Sequence, residues 1–476
     1  MACNNSHPAW KKFSTSSLPG PQGRPGPQGT QGEVGQTGER GEPDEMVGRV
    51  ECNNENLHIV KGTVQLLENK PLGSLSVSDN GSTVSCLVDV LKEMGIVSRD
   101  PKKWGQLGTQ DLLVGAVGDS AGRSVSLSAD GLTVAVGAPY HNASRGHVRV
   151  FSYNIVRGWT QIGGDLVGAV GDRAGSSVSL SADGMTVAVG APFHDGELLA
   201  NNYKGRVRVF RYDGDSDKWG QLGTQDLFVG AAGDRAGSSV SLSEDGMTVA
   251  VGEPFANESL SGRVRVFRYD GDKWGQLGSD LEGAVAGDQA GYSVSLSADG
   301  KTVAVGATAA YSSAKLGQVR VFIYDDTQWV GGEIVGVAGD SVGFSVSLSA
   351  DGLTVAVGAP DGEGRVRVFR YDDTQWVQVG GEIVGVAENA GYSVSLSADG
   401  KTVAVGAPYF PDYNNKGRVR VFRYDDTQWV HVGGEIVGVA ENAGWSVSLS
   451  ADGLTVAVGA PFHDDYNKGR VQVFKL

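Results

Sequence analysis

The chain has 476 residues, and its 40 Lys and Arg against 55 Asp and Glu give a formal net charge of −15. This acidic balance argues against binding to nucleic acids or to anionic membranes. No apolar run approaches the roughly 20 residues that span a bilayer, and the first twelve residues lack the apolar core of about 7–15 residues that a secretory signal requires.

Residues 1–19 are predicted to form a disordered tail, and glycine then falls at every third position of residues 20–43. The eight glycines are Gly20, Gly23, Gly26, Gly29, Gly32, Gly35, Gly38 and Gly41. A triple helix needs glycine at every third place because no larger residue fits at its axis. The segment therefore resembles a collagen-like stalk, which as a homotrimer would form a rod of about 70–75 Å at ~3.1 Å per residue. The alternative is a disordered linker rich in Pro and Gly.

Residues 44–100 are predicted to be a linker or neck with a short helix near 83–94. Apolar residues recur there at helical spacing, at Val84, Leu87, Leu91 and Met94. This helix would either help a trimer to form or pack on the following domain, and its shortness favours packing. The three cysteines, Cys3, Cys52 and Cys86, all lie before residue 101. Interchain disulfides and free thiols both remain open for them.

Residues 101–476 contain seven copies of one unit, which is easiest to follow in the run Ser-Val-Ser-Leu-Ser. The first serines of this run are Ser124, Ser177, Ser239, Ser293, Ser345, Ser393 and Ser446. Each copy has four segments in which apolar and polar residues alternate, separated by Gly and Asp-Gly turns. This pattern predicts a four-stranded antiparallel meander, and seven of them predict an all-β, seven-bladed propeller.

The two ends of the repeat region predict that the propeller is closed by its N-terminal strand. The seventh copy ends at Leu476, after its third strand. The missing fourth strand lies before the first copy, around Trp104, in a segment that matches the one at Trp219. Pairing of this segment with the last copy would remove the free sheet edges.

The runs Gly391-Tyr-Ser-Val and Gly444-Trp-Ser-Val, each followed by Gly-Ala-Pro, resemble FG-GAP repeats, the blades of integrin α-subunit propellers. The resemblance covers all seven units and implies an extracellular or surface protein that binds or adheres, although no signal sequence is visible. Integrin-type blades often carry a calcium loop. Here the corresponding turn is only Ser-Ala-Asp-Gly, so the metal role is not carried over.

Candidate ligand-binding residues lie in the loops between the second and third strands, which vary most between copies. They are Tyr140, His141, Phe193, His194, Asp195, Tyr409, Phe410, Asp412, Phe462, His463 and Asp464. The histidines fall in consecutive blades, but equivalent loops are too far apart for metal coordination. We therefore expect exposed loop histidines and no metal.

The connections between blades each carry one acidic residue at an equivalent position. They are Asp119, Asp172, Asp234, Asp288, Asp340, Glu388 and Glu441. Seven such carboxylates would form a negative ring near the axis, or each would cap its own turn, and the second alternative is favoured. The arginines of the third strands, such as Arg206 and Arg263, are expected to pair with acids and stack on aromatic residues.

The chain contains no His-Glu-x-x-His and no Cys-x-x-Cys. It is therefore predicted to be a non-enzymatic binding or adhesion module without catalytic residues or cofactor. The propeller would present its loop face to a protein or glycan ligand. The first alternative is a structural protein of a matrix, wall or virion surface. The second is a hydrolase or lyase that acts on glycans with loop-face carboxylates.

Overall fold

The computed structural model describes residues 49–53, 56–60, 76–79, 82–84, 103–108, 111–112, 115–194, 203–223, 226–227, 230–308, 317–335, 341–384, 389–409, 416–462 and 467–476. The chain divides into two compact units, Met1–Glu93 and Met94–Leu476. The collagen-like segment at 20–43, Cys3 and Cys86 lie outside the described residues. Their predicted roles therefore stay predictions.

The first unit contains a four-stranded sheet. Its strands, in spatial as well as sequence order, are Arg49–Asn53, Asn56–Val60, Ser76–Asp79 and Ser82–Val84. The second and third strands are parallel, and the other pairs are antiparallel. The strand Ser82–Val84 occupies the start of the segment for which a helix was predicted. Val77 and Val84 are paired across this sheet. Residues 85–94 lie outside the described residues, so the helix predicted near 83–94 stays a prediction.

The second unit is a seven-bladed β-propeller of antiparallel four-stranded blades, as predicted. The first strands are Ser124–Leu127, Ser177–Leu180, Ser239–Leu242, Ala290–Leu296, Ser345–Leu348, Ser393–Leu396 and Ser446–Leu449. The second strands are Thr133–Ala138, Thr186–Ala191, Thr248–Glu253, Thr302–Ala307, Thr354–Ala359, Thr402–Ala407 and Thr455–Ala460. The first strands of neighbouring blades touch all round the ring, so they line the axis.

The outer strands carry the larger residues. The third strands are His147–Asn154, Arg206–Asp213, Arg263–Tyr269, Gln318–Tyr324, Arg365–Tyr371, Lys416–Tyr424 and Arg470–Lys475. The fourth strands are Gly158–Gln161, Lys218–Gln221, Trp274–Gln276, Trp329–Val335, Trp376–Gln378, Trp429–Glu441 and, for blade 7, Gly105–Gln106. Short strands Leu166–Val167, Leu281–Glu282 and Ile383–Val384 continue blades 1, 3 and 5 against the third strand. One short helical segment, His141–Ser144, lies in a loop of blade 1.

The N-terminal strand closes the ring as the sequence predicts. Gly105 and Gln106 pair with Lys475 and Phe474 of the last strand. The Leu107 N–H donates to the Val473 carbonyl at 2.8 Å, and the Leu112 N–H donates to the Val471 carbonyl at 2.9 Å. Blade 7 is therefore completed by residues that precede blade 1, and its third strand has no free edge there.

The repeated Ser-Val-Ser of each first strand joins the blades to one another. The first serine hydroxyl donates to a glycine carbonyl of the next blade, from Ser124 to Gly175 at 2.9 Å through to Ser446 to Gly122 at 2.9 Å. The second serine hydroxyl accepts from the leucine N–H of the next blade, as Ser126 does from Leu180 at 2.9 Å. Valine between the two serines is buried in the blade, so the alternation satisfies both the core and the seams between blades.

The Ser-Ala-Asp-Gly turns (Ser-Glu-Asp-Gly in blade 3) form a closed ring of seven backbone hydrogen bonds at the end of the axis opposite the loop face. Each N–H donates to the next carbonyl over 2.9–3.0 Å, through Ala129, Ala182, Glu244, Ala298, Ala350, Ala398 and Ala451. The turn carboxylates are used locally: Asp130 accepts from the Ser128 hydroxyl at 2.6 Å and the Leu132 N–H at 2.9 Å. In each of these turns the carboxylate therefore holds the turn itself.

The rim tryptophans hold the outside of the blades together. Six indole N–H groups donate to a carbonyl of the preceding blade at 2.8–3.0 Å; they belong to Trp104, Trp159, Trp219, Trp274, Trp329 and Trp429. The indole N–H of Trp376 is buried without a partner. The cause lies in the preceding blade, blade 4, whose carbonyl would be the acceptor. Blade 4 reads Trp329-Val-Gly-Gly, with two residues fewer before the Gly-Gly pair than blades 5 and 6 have.

Candidate functional site: the axial mouth on the loop face

The residue before the first serine of each first strand lies around one end of the propeller axis. These seven residues are Arg123, Ser176, Ser238, Tyr292, Phe344, Tyr392 and Trp445. With prolines and aromatic residues of the loops after the second strands, they line a cavity of about 380 Å³. We call this cavity the axial mouth. Its volume lies at the small end of the roughly 300–1,000 Å³ typical of ligand pockets.

Blades 4 to 7 supply a continuous aromatic wall to the axial mouth. The ring centroids of Tyr292 and Phe344 are 5.0 Å apart. Those of Phe344 and Tyr392, and of Tyr392 and Trp445, are 4.7 Å apart. Burial raises the pKa of both Tyr292 and Tyr392 above 10, so their hydroxyls stay protonated at neutral pH and can donate hydrogen bonds.

Blades 1 to 3 supply arginines that are stacked on aromatic rings. The guanidinium carbon of Arg173 lies 3.9 Å from the Phe193 centroid and 4.9 Å from that of Tyr140. Arg235 lies 4.3 Å from the Phe255 centroid, and Arg123 lies 4.6 Å from that of Trp445. The mouth thus has a cationic half and an aromatic half, which meet where Arg123 of blade 1 covers Trp445 of blade 7.

Four of the loop-face aromatics predicted from sequence belong to this site. Tyr140 and Phe193 line the axial mouth. Phe462 makes an edge contact with Trp445 at 5.0 Å, and Tyr409 lies 5.9 Å from Tyr392 and 6.0 Å from Trp445. Phe410, Asp412, Asp195, His463 and Asp464 lie outside the described residues, so their predicted roles are untested.

The four described members of the predicted acidic ring are buried and serve their own turns. Asp119, Asp172, Asp234 and Asp288 are only 2–5% exposed. Each accepts from the backbone N–H three residues earlier, at 2.7–2.9 Å. These residues therefore follow the turn-capping alternative rather than a ring open to solvent. Asp340 and Glu388, and the Glu441 side chain, are outside the described part.

The expectation of exposed loop histidines is wrong for the two that are described. His194 is 9% exposed, and its Nδ1 lies 2.7 Å from Asp172. His141 is half-buried, with Nδ1 2.9 Å from Asp119. The turn aspartates thus anchor the second-to-third-strand loops, which the sequence did not reveal because the partners are 22 residues apart. Among the described residues, no three potential metal ligands come together.

The third-strand arginines pair with acids, as expected. Arg206 pairs with Asp172, which also holds His194. Arg263 lies 2.8 Å from Asp234, and Arg418 lies 2.9 Å from Glu435. Arg208 stacks over Phe210 at 5.2 Å. In these pairs the third-strand arginines neutralise the acidic residues near the mouth. They are different residues from the arginines that stack on aromatic rings at the mouth.

Blade 1 holds His147 where other blades hold arginine or glutamine. His147 is fully buried, neither ring nitrogen has a hydrogen-bond partner, and its ring lies 4.2 Å from that of His141. Burial, with nearby His141 and Arg149, lowers the pKa of His147 from 6.5 to about 4, although Asp165 and Asp119 oppose this shift. His147 is therefore neutral in the folded protein at physiological pH.

His147 should make the protein sensitive to acid. Between pH 6.5 and about 4, His147 is protonated in the unfolded chain but not in the folded protein. The free energy of unfolding therefore falls as the pH drops through this window. His147→Gln is the matched change, because Gln318 stands at this position in blade 4. We expect the loss of unfolding free energy between pH 7 and 4.5 to be smaller in the variant by about 2–3 kcal/mol. Equal losses in urea titrations of both proteins would contradict this.

Sequence reasoning missed most of the residues that form the mouth. Tyr292, Phe344, Tyr392 and Trp445 belong to the run that suggested FG-GAP blades, but they were not considered as ligand contacts. A signal was available: this position alone varies from Arg to Ser to Trp, between a glycine and a serine that recur in every copy. Variation at one place in an otherwise repeated run indicates a surface that each blade fills differently.

No family model and no curated protein matches the chain. Among solved structures, the chain is similar to hydrazine synthase of Kuenenia stuttgartiensis, with a TM-score of 0.51 and 16% sequence identity. The similarity covers 78% of this chain and 99% of that one. At this identity it supports the β-propeller fold and nothing more specific. The resemblances to FG-GAP repeats and to collagen stay predictions. Among the described residues, no helix has the length and apolar character to cross a membrane.

Proposed function

We propose that this protein is a non-enzymatic binding module whose ligand enters the axial mouth. The observation that carries the proposal is the 380 Å³ cavity, lined by four aromatic residues of blades 4 to 7 and by the stacked arginines Arg123 and Arg173 of blades 1 and 2. Aromatic residues and arginines dominate binding sites because they offer large contact areas and directed hydrogen bonds. Ring closure and the hydrogen bonds between blades hold these side chains on a rigid frame.

The make-up of the mouth favours binding over glycan hydrolysis. A glycosidase needs two carboxylates on either side of the scissile bond. The described residues that line the mouth include no carboxylate, and the nearest turn aspartates are buried and already paired with histidine or arginine. The cavity would therefore hold a ligand without supplying the acid and base for cleavage.

The collagen-like segment extends the proposal to the whole chain. If residues 20–43 trimerise, three mouths are carried on one stalk, and a ligand displayed on a surface is held with an avidity gain that needs no new contact. A molecular mass of about three chains in sedimentation equilibrium would support this arrangement. A monomer would remove the stalk from the proposal and leave the mouth unaffected.

The test is a screen of the full chain against immobilised glycans and proteins, repeated with Trp445→Ser and Tyr392→Ser. Serine stands at the same position in blades 2 and 3, so both variants should fold. We expect the ligands found to lose at least about tenfold in affinity, in line with the loss of a buried aromatic anchor. Val384→Ser, a change of an exposed side chain outside the mouth, should have no effect. Ligands that bind both mouth variants normally would refute the proposal.

A further inference from the structure

The cationic half of the axial mouth has hydrogen-bond donors that the protein itself does not use. Arg123, Arg173 and Arg235 are half-buried and stack on aromatic rings. Arg123 and Arg173 line the mouth, and Arg235 lies behind it on Phe255, which does line it. Stacking occupies the face of a guanidinium and leaves its N–H groups, which lie in the plane, free to donate. Within the described residues, none of these three side chains forms an ion pair or a hydrogen bond. The third-strand arginines differ, since each of Arg206 and Arg263 has carboxylate partners.

The backbone under two of these arginines is strained. Arg173 and Arg235 have φ of +54° and +56°, in the left-handed region. The equivalent residues in blades 6 and 7 are Asn389 and Asn442, with φ of +64° and +58°. Asparagine tolerates this conformation better than other residues with a side chain. The same position has a positive φ in the other blades as well, at Ser120, Gln289 and Ser341. The left-handed backbone therefore belongs to the turn, and arginine at these two places is not the residue that the turn alone would favour.

The neighbouring carboxylates do not neutralise these arginines. Asp119, Asp172 and Asp234 are buried and engaged with His141, Arg206 and Arg263. A chain with a net charge of −15 therefore keeps three unpaired cations together at the end of its axis. Uncompensated charge in a cleft attracts the opposite charge, and guanidinium donors match carboxylate, sulfate and phosphate oxygens.

Resting on the proposed function, we infer that the ligand is a compound of one or two rings that carries a carboxylate, sulfate or phosphate group. Its anionic group would bind the arginines of blades 1 to 3, and a flat or apolar ring face would lie against the wall formed by Tyr292, Phe344, Tyr392 and Trp445. The size follows from the 380 Å³ of the mouth. An acidic sugar and an aromatic acid ester share this chemistry, and the probes distinguish them.

The experiment measures binding of small probes to the full chain by calorimetry. The anionic probes are methyl glucuronide, phenyl sulfate and phenyl phosphate, and the neutral counterparts are methyl glucoside and phenol. We expect at least one anionic probe to bind about tenfold or more tightly than its neutral counterpart, with an affinity that falls as salt is added. Whether the glucuronide or a phenyl ester binds identifies the ring.

The matched variant is Arg173→Asn with Arg235→Asn, which places in blades 2 and 3 the residue that blades 6 and 7 have at this turn. Its control is Arg211→Asn with Arg370→Asn, an equal change of charge at exposed residues that do not line the mouth. We expect the first pair to weaken the anionic probe about tenfold or more and the control to leave it unchanged.

Two results would overturn the inference: neutral probes that bind as well as anionic ones, or anionic binding that survives the change of both arginines. Neither result would contradict the proposed function if the ligands found in the screen still lose affinity in Trp445→Ser. If no anionic probe binds while a ligand from the screen does so through Trp445, the inference fails and the proposed function does not. If no ligand loses affinity in Trp445→Ser, the proposed function is contradicted, and the inference that rests on it fails as well.

Discussion

Replacing Leu112 by alanine is expected to destabilise the protein as much as replacing Leu227. The segments 103–112 and 218–227 have the same ten residues, Lys-Trp-Gly-Gln-Leu-Gly-Thr-Gln-Asp-Leu. Leu227 follows the fourth strand of blade 2 and is 5% exposed; Leu112 is 4% exposed although its segment precedes blade 1. Each donates its N–H at 2.9 Å to a valine of a third strand, Val471 for Leu112 and Val207 for Leu227.

Both leucines fill the seam between two blades, so removing either side chain leaves a cavity there. Leu112 packs with Val125 and Val134 of blade 1 and with Val471 of blade 7. A buried leucine changed to alanine loses about 2–5 kcal/mol of stability, and we expect a value in this range for each variant in denaturant titrations. A silent Leu112→Ala beside a destabilising Leu227→Ala would mean that the N-terminal segment is not built into the ring.

Replacing Gly190 by alanine is expected to lower the unfolding free energy by about 3 kcal/mol, at the upper end of overpacking effects. Gly190 belongs to the second strand of blade 2. A Cβ there would collide with the Ser177 hydroxyl and the Gly237 carbonyl, which are joined by a 2.8 Å hydrogen bond between blades 2 and 3. The added methyl group would separate the blades at this seam. Because φ is ordinary at Gly190, the effect comes from contact alone.

The control is Gly275→Ala in the fourth strand of blade 3, where a Cβ would meet no atom within 4 Å. This change should leave the midpoint of unfolding unchanged or raise it slightly, since alanine reduces the freedom of the unfolded chain. Equal effects of the two glycine substitutions would show that the seams between blades are not packed as tightly as described.

The number of blades and the closing strand could be predicted because the seven repeats can be compared with one another within the one sequence. Seven copies of Ser-Val-Ser fix the count, and the displaced tryptophan segment fixes the closure. The loop face was also predictable, since its lengths vary while the strands do not. What identical repeats share is therefore readable from a single sequence.

Partners that differ from blade to blade were not predictable. His194 finds Asp172, and Arg123 finds Trp445 across the closure, because side-chain length and turn geometry bring together positions that no spacing rule connects. Trp376 lacks a partner because the preceding blade has two residues fewer between its tryptophan and its Gly-Gly pair, an effect that one blade has on the next.

Glu253 is a further case of this kind. It replaces the alanine of Gly-Ala-Pro in blade 3, is fully buried, and lies 2.9 Å from Arg263. Burial raises its pKa from 4.5 to about 7, against the attraction of Arg263 and Arg265. The sequence showed the substitution without showing that arginines of the adjacent strand surround it.

The most direct test is hydrogen exchange of the two identical ten-residue segments in one sample of the full chain. Their intrinsic exchange rates are nearly the same, so any difference reports structure. The amides of Leu107 and Leu222 donate at 2.8 Å to Val473 and Val209, and we predict comparable slow exchange in 103–112 and 218–227. Rapid exchange of 103–112 beside a protected 218–227 would show that the ring is not closed by its N-terminal strand.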